Sequence, residues 1–553
     1  MKKYKMKTKW QYIIIGLVIS TIMVFIMNYF WITPWNMESI SCWIKVFVIL
    51  CIYSAVNYLM LFSGYEAKEI HKEPMLMHVP FIAPIIVAVL FLIGLITGAE
   101  IFNSAKYANI ITVQRVESGE AILSEKDAVS IALMDTASAR QLGDREIGAI
   151  ENFSAFNVSE DYIQLNIKGD AVKVAPLEYL GFFKWLSNKE GGVTGYVSVS
   201  PTTMTADYIE LTEGMQYVPS AYFDKDLYRH LHYQFPTLII DNMHFEVDEE
   251  GKPFYVSSVF DKTIGAFGGE IVIGAIVTDP VSGDSTYYTI EEIPQWVDYV
   301  VPGDLICELY NVAFKNINGF WNGTSFGANT GCMQTTTIDT PSEDDEEDES
   351  HDAGTDYGYI AKDGDIYVYT GVTSMAADSS NLGFIMVNER TGEYIYFAVS
   401  SANEQSAMNA AEGEVQQYGY QASFPSLINV DGSLAYIGVL KDQSGLVKKY
   451  YMVNVEDYGK VVVADSREAC VLEYAKKLGL TPEEKPEEIE KTEVEFVVSV
   501  VQYVDVDGNT YVYMGTEDGK IYKALFHLNE KLLFVKPGDT IKGTVSNGIL
   551  TVE

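Results

Sequence analysis

The chain has 553 residues, 38 of them basic and 76 acidic, for a formal net charge of −38. Residues 1–99 hold eight Lys and four Glu, so the acidity belongs to the remainder; a surface of that sign repels phosphate backbones, and nucleic acid is not expected as a partner. Five cysteines without a CxxC spacing exclude a zinc ribbon, a thioredoxin-type site and a disulfide framework.

The chain opens MKKYKMKTKW, and an apolar run follows to about residue 32. That run is too long for a signal peptide, and NYFWITPWN at its far end is too bulky for a cleavage site. A second apolar run covers about 43–62. The third, Pro80 to Gly98, is nineteen uncharged residues, nearly enough for a helix to span a hydrocarbon core of roughly 30 Å. Three transmembrane helices are therefore expected, at about 12–32, 43–62 and 80–98, in a membrane domain of residues 1–99. Lysines precede the first helix, and Lys68 and Lys72 lie between the second and third. The positive-inside rule then places the N-terminus in the cytoplasm and residues 99–553 outside it, as expected of a multi-pass cell-membrane protein. Lys45 is the one charge inside these runs, near enough to an end to reach the interface. An anchor is expected rather than a transporter.

Residues 100–232 read as an α+β domain. SEKDAVSIALMDTASARQLGD has a capping-box-like start at Ser124 and Asp127, and Gly143 suits a helix end. FSAFNV, YIQLNI and AVKVAPL alternate with period two and read as strands. A helix is expected near Leu177 to Asn188, then strands at GYVSVS and DYIEL.

From Phe235 the chain repeats itself. FPTLIIDN at Phe235 matches FPSLINVD at Phe424. GAIVTDPVSGDSTYYTI from Gly274 matches GFIMVNERTGEYIYFAV from Gly383, with Gly274 and Gly283 spaced as Gly383 and Gly392 are. A weaker third copy is YYMVNVEDYGKVVVA from Tyr450. Strand, polar turn with glycine, strand is a hairpin pattern, so turns are expected near Gly283 and Gly392. Asp279, Pro280, Ser282 and Gly283 make the D-P-x-[ST]-G turn through which this hairpin resembles PepSY-type modules. In the second copy Asn388, Glu389, Thr391 and Gly392 stand there without the proline. The resemblance implies two PepSY-like α+β repeats, residues 233–335 and 356–482, and a role in binding or peptidase regulation. The wider layout resembles uncharacterised membrane-anchored envelope proteins of Gram-positive bacteria.

PSEDDEEDESHD, within residues 336–355, is a run of mutually repelling acids and reads as a linker; loose binding of divalent cations is its alternative. TPEEKPEEIEK from Thr481 is a second linker. Residues 483–553 show about five strands, with turns at Asp507-Gly508, Asp518-Gly519 and Asn547-Gly548, and are similar to a small OB-type barrel.

Chemistry-bearing residues are sparse. His230 and His232 lie in DLYRHLHYQF, with Asp241 and His244 downstream, and these four are the candidate metal ligands. The preceding DKDLYRHL reads as helical, and on a helix an i, i+2 pair diverges. DVDGN at Asp505 begins like a calcium loop, but its twelfth position is Thr516 where glutamate is required. GTSFG, with Ser325 in the nucleophile's place, lacks the strand before and the helix after that a nucleophile elbow needs. Cys307 and Cys332 could form one bridge, which spacing alone leaves open. No catalytic residue and no cofactor is assigned.

The reading is an α+β protein: three N-terminal transmembrane helices, then a strand-rich extracytoplasmic region of several modules ending in an OB-like barrel. Binding or scaffolding in the cell envelope is expected, with the membrane and a peptide or protein as partners. The alternatives are an envelope hydrolase with an unrecognised site and an accessory subunit of a membrane complex.

Overall fold

The computed structural model describes residues 2–64, 79–116, 123–124, 133–134, 136–147, 153–201, 203–337, 357–430, 432–443, 445–479, 492–506, 509–516, 520–525, 530–546 and 549–552. The acidic run at 341–352 and the linker from Thr481 lie outside them. The protein mixes helix and strand in many sheets. It forms two compact units, Met1–Lys477 and Leu478–Glu553.

Helices stand at all three apolar runs: α1 (Lys2–Phe30), α2 (Ile40–Gly64) and α3 (Val79–Gly98). By length and apolarity the described residues hold one or two candidate spans, against the three expected. Ile40–Leu59 qualifies alone. Ile82–Gly98 qualifies together with α4 (Glu100–Tyr107) across a 43° bend, and Ile14–Phe30 is a shorter apolar helix. The lysine-rich start of α1 shortens its apolar stretch. Lys45 does not reach outward either. It is buried, with its ammonium 5.0 Å from the centre of the Trp35 ring.

Most of the described remainder of the first unit is built on one motif found there four times, an antiparallel meander of four strands followed by a helix. The second copy has strands Ile239–Val247, Pro253–Ile264, Gly268–Thr278 and Ser285–Thr289, then helix Gly303–Lys315. The third has Gly358–Lys362, Asp365–Ser374, Ala377–Asn388 and Tyr394–Phe397, then helix Glu404–Glu414. The fourth has Ser426–Val430, Ser433–Lys441, Val447–Asn454 and Val461–Ala464, then helix Arg467–Lys477. Residues 356–482, expected to be one repeat, therefore hold two. A further copy precedes them, with strands Ile163–Ile167, Asp170–Tyr179, Val193–Ser200 and Thr205–Met215 and helix Leu227–Gln234.

Two tight turns make each meander. The first places a glycine at positive φ in every copy, at Gly169, Gly251, Gly364 and Gly432. The second, joining strands three and four, is held by a side chain that accepts from backbone N–H groups just ahead of it. Asp279 accepts from Val281 and Ser282, Asn388 from Arg390 and Thr391, Asn454 from Glu456 and Asp457, and Ser200 from Thr203. Such Asx and ST turns reverse the chain without help from neighbouring strands. Gly283 and Gly392 sit in these turns as expected, at φ 84° and 71°.

Local expectations held unevenly. The helix expected to end at Gly143 runs from Thr136 to Ile147, with 125–132 outside the described residues. Gly143 serves close packing instead, since a Cβ there would collide with the Tyr162 hydroxyl. The helix expected from Leu177 begins only at Phe182, because the strand continues to Tyr179 and Gly181 breaks the chain direction at φ 83°.

The meanders pack face to face in chain order. Leu165, Val174 and Val197 of the first meet Phe245, Tyr255 and Val259 of the second. Phe260 of the second shares a core with Val368, Ile385 and Tyr394 of the third, with helix Gly303–Lys315 between. Tyr369 and Phe384 of the third meet Phe424 and Tyr436 beside and within the fourth. Ser138, on the helix packed against the first meander, donates to the Gly445 carbonyl of the fourth at 2.7 Å. At the helix ends, Phe267 in a turn of the second meander sits 6.1 Å from Trp43 and 5.3 Å from Phe91, ring centre to ring centre. A Cβ on Gly94 would lie 2.5 Å from that ring.

The second unit is one six-stranded sheet, in the order Thr492–Val497, Thr540–Ser546, Ile549–Val552, Ile521–Leu525, Asn509–Gly515, Val500–Val506. Neighbours are antiparallel except Ile521–Leu525 beside Ile549–Val552. Val498, Val512, Met514, Leu532 and Leu550 form its core. Val506 pairs with Asn509, so DVDGN spans a hairpin, and its Asp507 and Gly508 lie outside the described residues.

The turns allow a graded test. Gly392→Ala should cost about 1 kcal/mol for the left-handed backbone alone, because its Cβ would meet nothing nearer than Val301 at 3.6 Å. Gly283→Ala should cost clearly more, because its Cβ would lie 2.6 Å from the Tyr217 ring. Thermal unfolding of the two variants checks this, and equal losses would contradict the assignment of these turns.

Candidate functional site

The four candidate metal ligands do not converge. His230 Nε2 faces the Gly283 carbonyl at 2.7 Å, and its ring stacks on Tyr217. His232 is buried with Nδ1 3.0 Å from the Tyr228 carbonyl, and burial lowers its pKa. Asp241 accepts from the N–H of Asn242. Among the described residues no group of three or more His, Cys, Asp or Glu could hold a metal. Ser325 is exposed in a run of turns, without the strand and helix of an elbow. Cys307 and Cys332 are free thiols.

His244 alone belongs to a larger constellation, centred on Glu246. The strand Ile239–Val247 puts residues 244 and 246 on one face. His244 Nδ1 lies 3.0 Å from the Asn242 carbonyl, which fixes a proton on that nitrogen. Nε2 lies 2.9 Å from Glu246 Oε1, within hydrogen-bond distance. Glu246 also accepts two backbone N–H groups, Asp298 at 3.0 Å on Oε2 and Tyr299 at 3.1 Å on Oε1. These amides belong to the segment that links the second meander to its helix.

The same segment ties in the other meanders. Asp298 Oδ2 accepts the Asn166 N–H of the first meander at 2.5 Å. The N–H groups of Val300 and Val301 donate to the Glu389 carbonyl of the third, at 3.1 and 2.7 Å. Glu389 is anchored in turn by its own N–H on the Ile366 carbonyl, 3.0 Å. Beside it Arg390 grips Asp365 with two hydrogen bonds of 2.8 Å, and Asn388 adds a third of 2.7 Å. Lys173 of the first meander donates to Thr136 at 3.0 Å and lies 5.8 Å from the centre of the Tyr359 ring.

Glu246, Asp298, Glu389 and Lys173 are all at most 2% exposed. Among the described residues Asp298 Oδ1 and Glu389 Oε1 have no hydrogen-bond partner. Burial first, then the neighbouring Glu246, raises the Asp298 carboxyl well above the usual range. Burial, then Asp298 and Glu246, does the same to Glu389, against the opposing pull of Lys173. A smaller joint of the same kind lies between the third and fourth meanders. There buried Glu404 accepts from Asn381 at 3.0 Å, and Tyr436 donates to the Ala402 carbonyl at 2.7 Å. These carboxyls can hold protons, but in this conformation they are sealed from any dissolved substrate. Their chemistry is that of a joint.

No protein-family model matches the chain, and no curated protein does. Among solved structures, a mutant of B. megaterium levansucrase is similar at 9% identity and a TM-score of 0.15, covering 78% of this chain and 97% of that one. A likeness at that level carries no argument about fold or function.

The joint should be sensitive to pH in a defined direction. An unfolded Asp titrates near about 4, whereas folded Asp298 holds its proton to higher pH. Its contribution is therefore intact below about pH 4 and is lost as pH rises through the folded pKa. Asp298→Asn cannot ionise, so its melting temperature relative to wild type should improve between pH 4 and pH 8. Thermal unfolding at both values checks this. A relative stability independent of pH would show that Asp298 is not held protonated by the joint.

Proposed function

We propose that this protein is a membrane-anchored binding or scaffold protein of the cell envelope. One observation carries the reading. The outermost strand of the first meander, Thr205–Met215, is an eleven-residue edge with mostly exposed side chains, while the titratable groups of the joint are buried. An edge strand offers unpaired backbone N–H and C=O groups, and an extended peptide can add to it as a further strand. Exposed Asp207, Glu210 and Glu213 on this edge favour a basic segment as the partner.

In this reading α1, α2 and α3 span the membrane, with the N-terminus inside and residues 99–553 outside. The exposed apolar faces of all three support it, among them Ile22 and Phe25, Leu59, and Ile85 and Leu92. The hairpins ending at Gly283 and Gly392 are PepSY-like. The second unit is an OB-like barrel. In support, Thr492–Val497 and Val500–Val506 stand at opposite ends of the sheet order yet are separated in the chain only by Val498 and Ser499. One strand bent at that point would join the two ends.

A photocrosslinking residue placed at exposed Thr212, in intact cells, tests the binding reading. It should trap a discrete partner that the same residue at Tyr458 does not. Equal, diffuse labelling at both sites would remove the edge strand as the binding surface. Protease added to intact cells should degrade the region after residue 99; protection of that region, with the loop at Lys68 cut instead, would invert the topology.

A further inference from the structure

Resting on the membrane-anchored reading, we propose that the region after α3 also lies on the bilayer surface, through three exposed aromatic segments that surround the helix ends and enter the lipid interface. The occupant of this apolar surface is the same bilayer that holds the helices.

Each segment is tied by hydrogen bonds or ring contacts to the end of a helix. The first is α4, which turns away from α3 by 43° at Ala99 and exposes Ile101 and, at 69%, Phe102. Tyr107 returns a hydrogen bond of 2.7 Å to the Gly98 carbonyl, which fixes the bend. The second is the loop after helix Gly303–Lys315. Lys315 and Asn316 both donate to Glu100, at 3.0 and 3.1 Å, so the loop leaves from the first turn past α3. Its Trp321 is 68% exposed and its Phe326 is 94% exposed. The third belongs to the first meander, where helix Phe182–Asn188 exposes Phe183 at 79%, and Phe182 packs against both Phe183 and exposed Phe223. It is tied to α1 through helix Leu227–Gln234, whose Arg229 donates to the Tyr29 carbonyl at 2.6 Å and covers the Tyr29 ring at 4.5 Å. Behind these side chains Phe182, Trp185 and Tyr222 pack within 5.8 Å of one another, a rigid base for the exposed ones.

Exposed aromatics gathered in this way are costly in water and mark an interaction surface. α4 follows directly where α3 leaves the apolar layer, and the other two segments are tied to α4 and to the end of α1 by these hydrogen bonds. The boundary of that layer is the depth at which tryptophan, here Trp321, is favoured, with one end apolar and the other wet. Apolar side chains on a surface segment can bury themselves some 5–10 Å into the headgroup boundary.

The test uses the full chain in lipid nanodiscs, with acyl chains either plain or brominated. Phe326→Trp and Phe183→Trp add a fluorophore at two of the segments. Tyr458→Trp adds one at an exposed tight turn of the fourth meander. All three positions are exposed, so folding should be unaffected. Emission added by the first two variants over wild type should fall by roughly half or more in brominated lipid, as burial to that depth implies. Emission added by Tyr458→Trp should not change. Unquenched emission from Phe326→Trp and Phe183→Trp, while the native tryptophans of the helix region are quenched, would overturn the surface contact and leave the anchor standing. Failure of the chain to enter discs, with no native emission quenched, would overturn both.

Discussion

The short segment 297–301 holds the first unit together. Glu246 takes its amides at 298 and 299, its Asp298 carboxyl takes an amide of the first meander, and its amides at 300 and 301 reach the third. Three sheets are thereby stitched at one point by backbone groups that had to be satisfied in any case. A carboxyl group offers two oxygens that can accept, which suits it to this position. The cost is desolvation of several acids in one place, and the unpartnered oxygens of Asp298 and Glu389 show it.

That constraint orders the rest of the unit. The two tight turns of every meander lie at one end of its sheet, and the turn between strands two and three lies at the other. Ionic pairs such as Lys252 with Asp279 and Arg390 with Asp365 bind the tight-turn ends internally. The opposite end of the second meander meets the helices through Phe267. The opposite end of the first carries exposed Phe183 and Phe223, each packed against Phe182. In the first two meanders a tight-turn end is thus separated from an opposite end that carries aromatic side chains.

Much of this was legible in the residues. Apolar length located the three N-terminal helices, though not which of them qualifies as a span. The spacing from Gly274 to Gly283 and from Gly383 to Gly392 located two hairpins, because a left-handed turn position selects glycine. The strands of the first meander were legible, but its kinship to the repeat was not, for the same physical reason. Its equivalent turn uses the Ser200 hydroxyl in place of an Asx side chain, and Met204 takes positive φ where the second and third copies have Gly283 and Gly392. The joint could not be read at all. Asn166 and Asp298 are 132 positions apart, and Asp298 and Glu246 are 52 apart, so no spacing rule applies. Only His244 was singled out, and its partner Glu246 looked like an ordinary strand residue beside buried Phe245. The alternation of His244 and Glu246 on a strand with a buried residue between them is the one local signal that could have revealed the pair.

Amide hydrogen exchange on the full chain, comparing wild type with Glu246→Gln, tests the joint most directly. Glutamine keeps the shape but turns an N–H donor toward the amides that the carboxylate accepts. If the joint couples the meanders, protection should fall together at residues 163–167 of the first meander, in the linking segment 297–301 and at 385–389 of the third meander. Loss of protection confined to strand Ile239–Val247 and its immediate neighbours would contradict the account and leave the meanders as independently stable sheets.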